Sequence, residues 1–208
     1  NNSSRTNIYR FDGTNWAAMA GLTQAVSEFD LAEWNGRVYG AGSSSSSNVY
    51  CFDGTTWSLT NPLSRIHEYP FLTAFSNQLY VVSGGITNVM AFGGVSWTAK
   101  AGLPTYMNHP AGGVLGDYLY VAGGGYSGRT NAYRFDGTSW TAVAGLPEPR
   151  TFIGSAVLDG KIYAIGGHSN DPSYHASVFV FDGTNWTRDT DYPKAIRFTE
   201  ASVLNGTL

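Results

Sequence analysis

Only 13% of the 208 residues are charged, while 14% are aromatic and 42% hydrophobic. So few charges exclude a disordered chain, and so many rings supply a core. A net charge of −3 and a pI near 5.7, with Lys100, Lys161 and Lys194 as the lysines, exclude a basic footprint for nucleic acid or an anionic membrane.

From the N-terminus, the pattern FDGTxW at Phe11–Trp16 returns at Phe52–Trp57, in the altered form FGGVSW at Phe92–Trp97, at Phe135–Trp140 and at Phe181–Trp186. The tryptophans, Trp16, Trp57, Trp97, Trp140 and Trp186, are spaced 41, 40, 43 and 46 residues apart. A period in this range marks units that bury their faces only against neighbouring copies, so the chain reads as one domain of five copies. Hairpin turns are predicted at Asn35-Gly36, near Asn77, and at Gly116-Asp117, Asp159-Gly160 and Asn205-Gly206, because Gly accepts positive φ and Asn or Asp bonds its own backbone. Each strand after these turns carries a tyrosine, at Tyr39, Tyr80, Tyr120 and Tyr163, except after the last.

The unit over 155–191 shows the plan. Ser155–Leu158 and Lys161–Ile165 are strands, Gly166-Gly167 stops the second, Val178–Phe181 is a third, and Trp186 opens a fourth after the Asp182-Gly183 turn. Third strands place Tyr9, Tyr50, Met90, Tyr133 and Phe179 on the face of the motif phenylalanines and Ile8, Val49, Val89, Ala132 and Val178 on the other. Two apolar faces suit a sheet packed between two others, and the tryptophans read as wedges between them. Four antiparallel strands per repeat make an all-β propeller blade. The expected division is a part-blade at 1–30, blades at 31–70, 71–110, 111–153 and 154–198, and the start of a next or closing blade at 199–208.

The strand Ile162–Ile165 followed by Gly166-Gly167, then a third strand ending in Asp182 and a nearby Trp186, resembles the kelch repeat. The likeness covers all five units and is most specific at Gly123-Gly124 and Gly166-Gly167; Gly42-Ser43, Ser83-Gly84 and Gly93 depart from it. The resemblance implies a kelch-type β-propeller. It also implies six or seven blades, against five units here.

Enzymatic motifs are scarce. Gly123, Gly125 and Gly128 match GxGxxG, but a strand at Asn131–Phe135 follows where a phosphate-binding helix is needed. The loop His168–His175 carries two imidazoles and Asp171, and it reads as a solvated loop with no fixed ligand geometry. Cys51, alone and mid-strand, reads as a small buried hydrophobe, which excludes an intrachain disulfide and a paired-cysteine zinc site. No apolar run approaches the roughly 18 residues of a membrane helix, so no membrane insertion is expected. No cofactor or metal is implied. Some kelch-type propellers are copper-radical oxidases or sugar epimerases; the first chemistry has only Cys51 to draw on, and the second could use Glu28, Glu68 and Glu200 with His67, His109, Arg150 and Arg197.

Binding is the favoured expectation. Loops between blades and loops between second and third strands should share one face, and the latter vary most, at Ser43–Ser47, Tyr126–Arg129 and His168–His175. The Arg150 position reads Val26, His67, Met107 and Ile196 in the other units, so the arginine ring of peptide-binding kelch propellers is not expected. Candidate ligand-binding residues are His67, Tyr69, Tyr106, Asn108, His109, Arg150, Phe152, Arg197 and Phe198, whose rings and amides suit a protein or glycan partner. Sequons at Asn185 and Asn205 and the low lysine content point to an extracellular or surface location. Asn1–Thr6 aligns just past a second strand and Leu208 at the start of one, so the ends are expected to form one incomplete blade. That blade would lack about six residues, the length of Tyr120–Gly125, unless the chain is an arc of a six- or seven-bladed ring.

Overall fold

Asn-Gly turns set the strand register. In the computed structural model, which describes residues 5–170 and 174–208, β3 (Asp30–Trp34) passes through Asn35 and Gly36, at φ 51° and 71°, into β4 (Arg37–Ala41). Two successive positive φ values give the type I′ turn that matches strand twist, and they bring Trp34 opposite Arg37. β5 (Val49–Phe52) and β6 (Trp57–Leu59) complete this blade. The plan repeats in β7 (Phe71–Phe75), β8 (Gln78–Val82), β9 (Val89–Phe92) and β10 (Trp97–Lys100). It repeats again in β11 (Ala111–Leu115), β12 (Tyr118–Ala122), β13 (Ala132–Phe135) and β14 (Trp140–Val143), and in β15 (Gly154–Leu158), β16 (Lys161–Ile165), β17 (Val178–Phe181) and β18 (Trp186–Arg188). Each of these four sheets is an antiparallel meander in chain order.

The N-terminal unit is a ribbon of two strands, β1 (Ile8–Phe11) and β2 (Trp16–Met19). It follows the plan of a third and fourth strand: Leu22 N–H donates to Thr6 O at 2.9 Å as Leu146 N–H does to Thr130 O at 2.8 Å. At the other end residues 199–203 carry no strand, and Leu204 pairs with Thr207 across the Asn205-Gly206 turn. Five units are thus recovered as four complete blades and a ribbon, and no strand pairing joins ribbon to tail among the described residues. Asn1–Ser4, and Asp171, Pro172 and Ser173 of the polar loop, lie outside those residues.

The repeated motif is an outer hairpin. Asp12, Asp53, Asp136 and Asp182 each accept two backbone N–H bonds at 2.8 Å from the residues two and three further on. The motif phenylalanine and tryptophan then face each other across the strands, with ring centres 4.9–5.2 Å apart in all five units. The indole N–H also reaches the preceding blade. Trp97 donates to Asn61 O at 2.8 Å, Trp140 to Ala101 O at 2.9 Å and Trp186 to Ala144 O at 2.9 Å.

A second stitch explains the double glycine. The N–H of Ser43, Gly84, Gly124 and Gly167 donates to a carbonyl of the next blade's leading loop, at His67, Met107, Arg150 and Ile196. A side chain at Gly124, where φ is +80°, would stand 2.9 Å from Asn108 O, so close backbone approach requires glycine. These bonds place the loops between blades and the loops after second strands on one face. Apolar residues fill the spaces between successive blades, with Cys51 buried in the first of them. Burying a ring such as that of Phe135 contributes roughly 1.5–3 kcal/mol. The first strands β3, β7, β11 and β15 line a central channel of about 600 Å³, with residues 200–202 on its remaining side.

Candidate functional site

Just before each of the four first strands, and at the equivalent repeat position of the tail, the backbone passes through the left-handed region at a residue that is not glycine. The five positions are Glu28 (φ 62°), Tyr69 (50°), His109 (48°), Phe152 (55°) and Phe198 (53°), spaced like the tryptophans. Each such residue costs about 1–3 kcal/mol and persists only where its surroundings hold it, a condition met most often at functional sites. Here neighbouring members hold one another: His109 N–H donates to Tyr69 O at 3.0 Å and Phe198 N–H to Phe152 O at 3.3 Å.

The turn aims four rings inward. Ring centres lie 4.5 Å apart for Tyr69 and His109, 5.2 Å for His109 and Phe152, 4.0 Å for Phe152 and Phe198, and 6.2 Å for Tyr69 and Phe198. Beside them opens a recess of about 400 Å³ walled by Ser27, Glu28, Phe29, Tyr69, His109, Phe198 and Glu200. Phe29 and Glu200 also line the channel, so the recess is its mouth.

Charge in this region is one-sided. Burial pushes the Asp30 carboxyl up to about 7, although its oxygens accept the N–H groups of Leu72 at 2.6 Å and Leu31 at 2.7 Å. Burial, and next the Asp30 charge, push Glu200 up to about 8. Glu200 is exposed to channel water, which screens part of that effect, so the upward direction is what its geometry supports. Burial lowers His109 to about 4, so at neutral pH it is an uncharged ring.

The nine expected residues fall into three groups. Tyr69, His109, Phe152 and Phe198 meet at the mouth, and the Arg197 guanidinium stands 4.9 Å from the Phe198 ring centre and 4.4 Å from that of Tyr174. Tyr106 lies apart, with Arg129 at 4.6 Å over its ring and Tyr126 at 6.2 Å. His67, Asn108 and Arg150 lie in the interior, 1%, 0% and 2% exposed. Arg150 instead ties its loop together, paired with Glu148 and bonded to Ser177 Oγ at 2.8 Å and Pro149 O at 2.9 Å.

Phe29 and Asp30 were missing from the sequence-based candidates, and Glu28 and Glu200 entered there only as acids for catalysis. The available signal was register: Glu28 occupies the same repeat position as Tyr69, His109, Phe152 and Phe198.

The Kelch motif family matches residues 149–187, which span the fourth complete blade. No curated protein matches the sequence. Among solved structures, that of YjhT is similar with a TM-score of 0.85 at 12% identity, covering 97% of this chain and 82% of that one, a likeness of fold alone. The matched unit shares its strand order with the three blades before it, its Asp-centred hairpin with the first and third of them and its tryptophan stitch with the second and third, and the chain is a kelch-repeat β-propeller.

Proposed function

We propose that this propeller is a non-catalytic binding module that takes a protein or glycan partner on the face built by the inter-blade loops and the loops after second strands. The observation that carries the reading is the ring of left-handed residues, which pays a backbone cost at five equivalent points to set four aromatic side chains around one opening. Flat rings beside carboxylates cover an apolar ligand face while its polar groups are satisfied. In this reading the protein works outside the cell or at its surface, and the five units belong to a five-bladed ring or to an arc of a larger one.

Screening by glycan array and peptide pull-down, with wild type and Phe198→Ala side by side, tests it. Phe198 is 50% exposed, so its truncation should leave stability within about 0.5 kcal/mol. Partner affinity should fall tenfold or more, and an unchanged affinity would move the site elsewhere.

A second reading, a carbohydrate-active enzyme, draws on one observation. Asp30 and Glu200 are two carboxyl groups raised toward neutrality in the channel, as a general acid and base need. Turnover of sugar epimers followed by NMR, abolished in Glu200→Gln, would favour it over the binding module.

A further inference from the structure

The mouth and the channel beneath it carry four carboxylates, Glu28, Asp30, Glu33 and Glu200, and neither lining contains a lysine or an arginine. Glu28 Oε2 is buried without a hydrogen-bond partner among the described residues, which costs free energy until a donor arrives. Phe29, Tyr69 and Phe198 bring ring surface to the same recess, and ring faces attract a cation at short range. Phe198 already holds a cation, the guanidinium of Arg197, which does not line the recess.

We propose that the mouth binds an alkylammonium group, carried by a lysine side chain or an amino sugar, between Glu28 and Glu200 and against the rings of Tyr69 and Phe198. The inference rests on the mouth being the ligand site and adds the charge of what enters it. An ammonium can donate to the orphaned Glu28 oxygen while its methylene stem lies on the aromatic surface. An anionic ligand would find no lysine or arginine in either lining.

The titratable groups lining the recess with Tyr69 are Glu28, Glu200 from the tail and His109, uncharged above about pH 4, and Asp30 and Glu33 of β3 line the channel beneath it. The Arg197 guanidinium stands 4.9 Å from the Phe198 ring centre and outside the lining of the recess. Asp30 and Glu200 hold protons near neutrality, so a cation that favours their ionised forms displaces protons, and its affinity rises with pH. A lysine ammonium, with a pKa of about 10.4, stays charged throughout that rise.

Isothermal titration calorimetry can decide this with Nα-acetyl-lysine amide and its neutral analogue Nα-acetyl-norleucine amide. The lysine derivative should bind at least tenfold more tightly, and its affinity should increase severalfold from about pH 6 to about pH 9. Glu200→Gln should remove most of that increase, and Glu28→Gln should weaken binding at both pH values, with circular dichroism showing both variants folded. Glucosamine against glucose at pH 7 separates the two sources: preference for glucosamine over the lysine derivative assigns an amino sugar, and the reverse assigns a peptide. Equal binding of the charged and neutral probes, or no binding of any cationic probe, overturns the inference. A neutral ligand that loses affinity in Phe198→Ala would leave the mouth as the site while still overturning its preference for a cation.

Discussion

Trp140 and Trp186 bond to the blade before them through one indole N–H, whereas Trp16, at the same motif position, is 70% exposed. Trp140→Phe should therefore cost about 1 kcal/mol in urea unfolding, the usual net value of one hydrogen bond, and Trp16→Phe less than about 0.5 kcal/mol. The five motif tryptophans are legible as repeat markers, because the spacing is in the letters. Their unequal roles are not, since those depend on which carbonyl stands across the interface. Arg150 and Phe198 show the same limit: both lie in loops that follow a fourth strand, yet one is a buried strut and the other lies open at the mouth. Glu200 makes a second residue-scale prediction. Its pKa is raised in the folded chain, so the stability it contributes is present below the unfolded value, near pH 4.5, and is lost as pH rises toward about 8. Glu200→Gln should raise the melting temperature at pH 9 and leave it nearly unchanged at pH 4, as differential scanning calorimetry can measure.

The hairpins and glycine stops are legible in the sequence because their chemistry is local. Asn35-Gly36 and Asp159-Gly160 take up the positive φ pairs that such dipeptides favour. The double glycine was legible as a strand stop. Its further purpose, a backbone bond to the next blade, needs the neighbour's position. Gly124→Ala should cost more than about 1 kcal/mol, because positive φ and a 2.9 Å approach to Asn108 O act together. The motif hairpin responds to acid: its bonds to backbone N–H hold Asp53, Asp136 and Asp182 below the usual carboxylate range. That stability is present above the unfolded value near 3.8 and is lost as pH falls through the lower folded one, so Asp136→Asn should flatten the acid limb of the unfolding profile. The ring of left-handed residues escaped sequence reading for a plain reason. Positive φ is looked for at glycine and asparagine, and here tyrosine, histidine and phenylalanine adopt it.

At the scale of the whole molecule, the period fixes an all-β propeller because each unit can bury its faces only between neighbours. The four complete blades follow that logic. The end units depart from it because residues 199–203 form no strand and the ribbon ends at its free edge, a matter of pairing across the fold that no local pattern encodes. The mouth arises likewise from residues about 40 apart that converge only when the blades are arranged around the channel. Its four rings include His109, while the other three histidines lie elsewhere: His67 is buried between blades, and His168 and His175 flank the long loop of the last blade. Imidazole resonances, followed by NMR during titration with a partner found by screening, therefore report directly on where that partner binds. The His109 signals should shift saturably with the partner, whether or not those of His168 and His175 on the same face also move. Saturable binding that moves the His168 or His175 signals and leaves His109 unchanged would contradict a site at the mouth.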